Sequence, residues 1–355
     1  MWTAARIRNK LRRVNRARRS PGAGVRTTGR QRWAVRRRAR QAASAVVGVA
    51  LLIAAGCSQP SAAGTSPSPT AGPGSQAPTA GLVDIGGGRT IWLECRGTGT
   101  PTVLLVSGAV GAHDDWTHTL NDADPAAAPS QNDAAVFSEV SRFTRVCAYD
   151  RPGTTRLTGE LSPSTPVPQP TTAQAGASDL RALMSAAGER GPYVLVGASW
   201  GGMLVNPFAR ENHADVAALV LVDGASDFLE ETLTPGQWAA WMQAVATSPV
   251  PPGGEIPDYD GAVAEIRAAP ALPSVPAVVL TADQPWNLSL GDQPPTWPAW
   301  TAAQDRLADQ LHATHVTATD SGHPINLQNP RVVVDAVRSV VDTARGTPGP
   351  AATTR

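Results

Sequence analysis

From residue 81 onward the chain alternates short apolar runs with stretches whose apolar residues recur at helical spacing. The apolar runs, rich in Val, Leu and Ile, read as strands. They are "PTVLLVSG" (101–108), "TRVCAYD" (144–150), "PYVLVGAS" (192–199), "AALVLVDG" (217–224), "PAVVLTAD" (276–283) and "HVTATD" (315–320). "ASDLRALMSAAG" (177–188), "QDRLADQL" (304–311) and "PRVVVDAVRSVVDTA" (330–344) read as helices. Ahead of them "GLVDIGGGRTIWLECRG" reads as a hairpin folded around Gly86 to Gly88. Strands that are apolar at every position suit a sheet covered on both faces. Their alternation with helices predicts an α/β architecture over residues 81–345.

The rhythm stops between Asp223 and Pro276. A stretch of that length inside a compact domain should carry structure of its own. With Trp238, Trp241 and several prolines, residues 224–275 are read as a small helical lid over the sheet edge. Residues 346–355 are read as a flexible tail.

Charge changes the picture at the N-terminus. The formal net charge of +1 hides a segregation: residues 1–40 hold 15 Lys and Arg and no acid. From Cys57 onward, 15 Arg face 29 Asp and Glu, a net of −14. The basic residues thus belong to a tail, and no nucleic-acid partner is expected of the acidic body. The apolar run "AASAVVGVALLIAAG" (42–56) is shorter than the roughly 20 residues a membrane span needs. Behind a basic stretch it reads as the core of a signal peptide, residues 1–56. It ends "IAAGC", and small residues before Cys57 resemble the lipobox of bacterial lipoproteins. Cys57 would then carry the lipid and become the mature N-terminus, giving an extracytoplasmic protein held to the membrane by a lipid anchor, or a secreted one if the signal is merely cleaved. Residues 57–80, uncharged and made after Cys57 of Ser, Pro, Gly, Ala and Thr apart from Gln59 and Gln76, read as a disordered tether.

Candidate chemistry centres on "VGASWGGMLV" (196–205), where Gly197, Ser199 and Gly201 make a G-x-S-x-G motif directly after an apolar run. A strand turning sharply into a helix presents such a serine exposed at the turn. A serine nucleophile needs a base and a group that orients the base. His213, His312, His315 and His323 follow it; only His323 lies in a Gly-bearing turn between the last strand and the last helix, "DSGHPINLQNP". With Cys57 lipidated, Cys95 and Cys147 remain as an even pair in an oxidising compartment. The His and Cys residues show no metal-ligand spacing, so neither a metal nor an organic cofactor is expected.

Four segments, in order, resemble those of the α/β-hydrolase family: "VSGAVGAHDDW" its H-G-x-x-G-x-x-x-x-W turn, "VCAYDRPGTT" its Y-D-R-x-G-x-G segment, "VGASWGG" its nucleophile elbow, and "GHPINLQNP" its histidine segment. The chain most resembles secreted actinobacterial-type hydrolases with Cys in the second and fourth strands. The resemblance implies a mostly parallel eight-stranded sheet with helices on both faces. It implies Ser199 as nucleophile, His323 as general base, and the backbone N–H groups of Trp200 and Ala109 as the oxyanion hole. Because the second and fourth strands are neighbours in that fold, it also implies a Cys95–Cys147 disulfide.

The chain departs from the family pattern in four places. Ser107 stands where His is common, and Thr155 where a second Gly is common. Pro207 falls inside the helix after Ser199, where its missing N–H should bend it. Pro285 occupies the usual place of the acid. That leaves Asp283, near the usual place, and Asp223, at the end of the sixth strand, where some haloalkane dehalogenases of this fold carry theirs; Asp223 is preferred. The expected function is a serine hydrolase acting on a small-molecule ester or similar acyl substrate. Two alternatives stand beside it. One is an aminopeptidase of the proline-iminopeptidase kind, with Glu230 and Glu231 binding the substrate amine. The other is a non-catalytic ligand receptor on the same fold.

Overall fold

The computed structural model describes residues 77–346 apart from 122, 123, 125, 126 and 289. The expected signal peptide, Cys57, most of the tether and nearly all of the tail lie outside the described residues. The first strand already begins at Thr79, so the last two residues assigned to the tether belong to the sheet.

Eight strands form one sheet: β1 (Thr79–Gly86), β2 (Arg89–Arg96), β3 (Thr102–Val106), β4 (Val146–Asp150), β5 (Tyr193–Ala198), β6 (Val216–Val222), β7 (Ala277–Leu280) and β8 (Thr314–Val316). Their spatial order is β1-β2-β4-β3-β5-β6-β7-β8. β2 runs antiparallel to both its neighbours, and every other pairing is parallel. The β1–β2 hairpin turns on Gly87 and Gly88, at φ +63° and +72°, with Gly86 opposite Arg89. A two-residue turn with both central residues left-handed matches the twist of the strands, and glycine adopts it without steric cost.

The strand residues divide between two cores. Leu104 and Val106 of β3, Leu195 of β5 and Leu219 and Leu221 of β6 face one cluster. Val103 and Leu105, Val194 and Val196, and Val220 and Val222 face the other. Both faces of the sheet are therefore covered, which is why the strands show no polar alternation. Helices α1 (Val136–Val140) and α9 (Pro330–Ala344) cover one face. α2 (Ala173–Ala186), α3 (Trp200–Glu211) and α7 (Trp297–Leu311) cover the other. Residues 224–275 contain α4 (Phe228–Thr232), α5 (Pro235–Ala246) and α6 (Tyr259–Ala268). α5 starts with Pro235 in its first turn behind a Thr234–Gln237 capping box, and α6 is capped by the Asp258 carboxylate. A short helix, α8 (Ile325–Gln328), precedes α9.

Some elements differ from the sequence reading. α7 begins seven residues before "QDRLADQL", with Pro298 in its first turn, where proline suits a helix rather than breaking it. α3 runs through Pro207 without interruption. Gly201 to Arg210 are all buried, and tertiary packing outweighs the lost hydrogen bond. The single turn His113–Trp116, the two-residue ribbon of His118–Thr119 with Ser130–Gln131, and α1 are too short to leave a periodic signal. Cys95 and Cys147 pair directly across β2 and β4 and form a disulfide. Among the described residues no helix is long and apolar enough to cross a membrane.

Candidate active site

Ser199 sits between β5 and α3 at φ +49° and ψ −120°, a conformation that costs a non-glycine residue energy. The surrounding glycines make it possible. A Cβ on Gly197 would lie 2.6 Å from the Gly201 carbonyl oxygen, and one on Gly202 would lie 2.8 Å from that of Ala225. A Cβ on Gly201 would overlap the Val106 carbonyl oxygen of β3. Backbone bonds hold the turn: Ser199 N–H donates to Val222 O at 3.2 Å, and Ala225 N–H donates to Ser199 O at 2.8 Å.

Three side chains from the carboxyl ends of the parallel strands meet here. Ser199 Oγ is 2.9 Å from His323 Nε2, and His323 Nδ1 is 2.6 Å from Asp223 Oδ2. His323 comes from the loop between β8 and α8, and Asp223 directly follows β6. Asp223 is fully buried. Its Oδ2 also accepts from Trp286 Nε1 at 3.1 Å, and its Oδ1 from the Ala282 N–H at 3.2 Å. An ionised carboxylate only accepts, so Nδ1 donates to it and Nε2 is left to accept from the Ser199 hydroxyl. The imidazole packs against two adjacent indoles, with ring centroids 4.1 Å from Trp286 and 5.3 Å from Trp300. A hydroxyl, imidazole and carboxylate linked in this way can pass a proton from oxygen to nitrogen while the imidazolium is stabilised.

Asp283 does not join them. Its carboxylate accepts from the Asp320 and Ser321 N–H groups, both at 2.9 Å. Its slight burial opposes the charge, but those backbone donors hold the carboxyl below the usual carboxylate range. Ala109 and Trp200 flank Ser199: Trp200 opens α3, and a Cβ on Gly108, next to Ala109, would lie 3.1 Å from Ser199 Cβ. Ser107 is turned away, its hydroxyl donating to Ala112 O at 2.7 Å. Thr155, in place of a glycine, donates its N–H to Val110 O at 2.7 Å. His213 contacts Ala271 O, His312 caps the end of α7, and His315 contacts Thr281, so none of them reaches Ser199. Glu230 and Glu231 are half-exposed on α4 and pair with Arg267 and Arg306.

Trp286 was not singled out by sequence reasoning, because the segment after β7 has no periodicity; its place next to Pro285, where the family carries its acid, is the signal that marks it. Among the described residues, Cys95, Cys147 and Glu189 bring potential metal-ligand atoms within 4.8 Å of one another, but both sulfurs are spent in the disulfide.

Comparison with known proteins agrees with this architecture. An uncharacterised protein of Schizosaccharomyces pombe is 29% identical over 147 residues, 38% of this chain and 26% of that protein. The chain thus spans about a quarter of that relative's length. Among solved structures, a hydrolase from Pseudomonas aeruginosa PA01 is 18% identical with a TM-score of 0.50, covering 74% of this chain and 97% of that one. A thermophilic esterase from Thermogutta terrifontis, solved with malate bound, is 21% identical with a TM-score of 0.48, covering 76% and 99%. At 18% identity the likeness to the Pseudomonas aeruginosa hydrolase is one of fold. The sequence itself matches the model of the alpha/beta hydrolase family over residues 103–336, from the start of β3 well into α9, and the chain belongs to that family.

Proposed function

We propose that this protein is an extracytoplasmic serine hydrolase that cleaves an ester or a similar acyl bond of a small molecule. Ser199 Oγ attacks the carbonyl carbon while His323 Nε2 takes its proton. The backbone N–H groups of Trp200 and Ala109 receive the oxyanion. The tetrahedral intermediate collapses, His323 gives its proton to the leaving alcohol, and an acyl-Ser199 ester remains. Water then gives a proton to His323 and its oxygen to the acyl carbon; the acid leaves and Ser199 regains its hydrogen. Asp223 holds the imidazole in the tautomer this requires and balances the imidazolium charge. No step calls for a metal or an organic cofactor.

The observation that carries this reading is the series Ser199–His323–Asp223, with bonds of 2.9 and 2.6 Å, ending on a strained serine. Strain held at one residue by packed glycines is characteristic of functional positions. The aminopeptidase alternative receives less support, because the Glu230 and Glu231 carboxylates are engaged by Arg267 and Arg306. Labelling with a fluorophosphonate probe tests the reading: the wild type should gain one adduct at Ser199, and Ser199→Ala should gain none. An unlabelled wild type, or an alanine variant labelled as strongly, would remove Ser199 from the role.

The proposed location is supported by the "IAAGC" segment and by a disulfide, a bond favoured in oxidising compartments. Metabolic labelling with a palmitate analogue should mark the wild type and not Cys57→Ser, which should be released in soluble form. Absence of label on the wild type would discard the lipid anchor.

A further inference from the structure

Arg151 and Glu255 form a buried ion pair that the proposed chemistry leaves without a task. Arg151 follows β4, and Glu255 lies between α5 and α6. They are 4% and 2% exposed. The pair is bidentate, with Nε to Oε1 at 2.6 Å and Nη2 to Oε2 at 3.0 Å. Taking two charges out of water offsets their attraction, so such a pair is weak grounds for stability alone. Its remaining bonds all go to one short segment. Arg151 Nη1 donates to Ser107 O at 2.9 Å and Nη2 to Gly108 O at 2.6 Å, while Glu255 Oε2 accepts from Val110 N–H at 2.6 Å. That segment is the one that passes against Ser199.

Peptide planarity turns these bonds into an orientation. The Gly108–Ala109 bond is trans, so the Gly108 carbonyl and the Ala109 N–H point in opposite directions. Holding the carbonyl oxygen on Arg151 aims the Ala109 N–H away from Arg151. The next peptide is held by Glu255 through the Val110 N–H. Val110 itself sits at φ +59°, which is costly for a β-branched residue and persists only under outside restraint.

We infer that Arg151 and Glu255 are positioning residues that set the Ala109 N–H for the developing oxyanion. Because Glu255 comes from residues 224–275, one carboxylate ties that insertion to the donor loop. This inference rests on the serine-hydrolase reading and deepens it.

Glu255→Gln and Arg151→Lys test it; both keep side-chain size and part of the bonding. Three quantities are measured on the folded variants: hydrogen exchange of the peptide spanning 107–111, kcat and KM on a p-nitrophenyl ester, and inhibition by a trifluoromethyl ketone that forms a hemiketal with serine. Exchange should quicken. kcat should fall by about 10- to 100-fold, less than the loss of a whole oxyanion donor, with KM changed by less than about threefold. Affinity for the ketone should fall in step with kcat/KM. Wild-type exchange, or wild-type kcat and ketone affinity, in folded variants would overturn the inference. Should neither single variant fold, Arg151→Met/Glu255→Leu removes both charges at similar volume, and wild-type ketone affinity in that protein would equally overturn it. If the wild type is not labelled by fluorophosphonate, the serine-hydrolase reading falls, whereas the exchange data still decide whether the pair holds the loop.

Discussion

Asp223 and His323 are 100 residues apart in sequence and 2.6 Å apart in space. The contact depends on two turns at the carboxyl end of the sheet, one after β6 and one after β8. It leaves Asp283, after β7, to bind the backbone of Asp320 and Ser321 instead.

Neutralising the two acids should therefore have unequal effects. Asp223→Asn removes the acceptor that fixes the His323 tautomer, and kcat should drop by roughly 10⁴-fold. Asp283→Asn should leave kcat within about threefold, since an exposed carboxylate bonded only to backbone contributes little to the reacting groups. Steady-state kinetics on both variants, with circular dichroism to verify folding, distinguish them. A dead Asp283→Asn beside an active Asp223→Asn would reverse the assignment.

The strands were legible in the sequence because β3, β5 and β6 are buried on both faces and so are apolar at every position. Ser199 was legible because its short segment carries glycines that the turn requires, and His323 because it lies in a Gly-bearing segment between the last strand and the last helix. Which carboxylate meets His323 was not, because "LVLVD" and "VLTAD" are equivalent as strand ends. The difference arises in the tertiary contacts: Trp286 and the Ala282 N–H donate to Asp223, while the Asp320 and Ser321 N–H groups engage Asp283. The Arg151–Glu255 pair was hidden for a related reason. It spans 104 residues, and Glu255 lies in a stretch with no periodic pattern to place it.

Glycine crowding at the elbow gives a stability test. At Gly201 an added methyl would overlap the Val106 carbonyl oxygen, and neither backbone can yield without disturbing the sheet. Gly201→Ala should cost about 3 kcal/mol. At Gly224 the same methyl would meet Leu221 side-chain atoms at 3.4 Å and the Gly202 Cα at 3.6 Å, ordinary contact distances, and Gly224→Ala should cost less than about 1 kcal/mol. Denaturant unfolding of the two variants measures the contrast, and equal stability would refute it.

The disulfide should be a large contributor to stability. Cys95 and Cys147 are separated by 52 residues, and cross-linking a loop of that length contributes about 4 kcal/mol by the chain-entropy model. Cys95→Ala/Cys147→Ala should lower the Tm by roughly 10 °C for a domain of this size. Calorimetry under non-reducing conditions checks it, and an unchanged Tm would show that the cross-link constrains little.

Asp115 should make stability fall as pH rises. It lies beside Asp114 in the turn before the ribbon, and the loop at Gly111 wraps closely around its carboxylate. Burial first, and the neighbouring Asp114 charge second, push its carboxyl up to about 7. An unfolded chain releases that proton near the ordinary aspartate value of about 3.9. Between these values the folded state binds more protons than the unfolded one, so stability declines as pH climbs from about 4 to about 7. The contribution is fully present below that window and absent above it. Asp115→Asn keeps the shape of the protonated side chain and cannot ionise. Wild type and variant should therefore melt together at pH 4, and the variant should gain on the wild type as pH rises. Asp115 is partly open to solvent, which reduces the effect to about 1–2 kcal/mol at pH 8, or a Tm higher by roughly 2–6 °C. Calorimetric melts at pH 4, 6 and 8 measure the difference, in which the titration of groups that do not interact with Asp115 cancels. A variant that tracks the wild type at every pH, or whose advantage appears at pH 4 and vanishes at pH 8, would show that the Asp115 carboxyl is not held protonated by its surroundings.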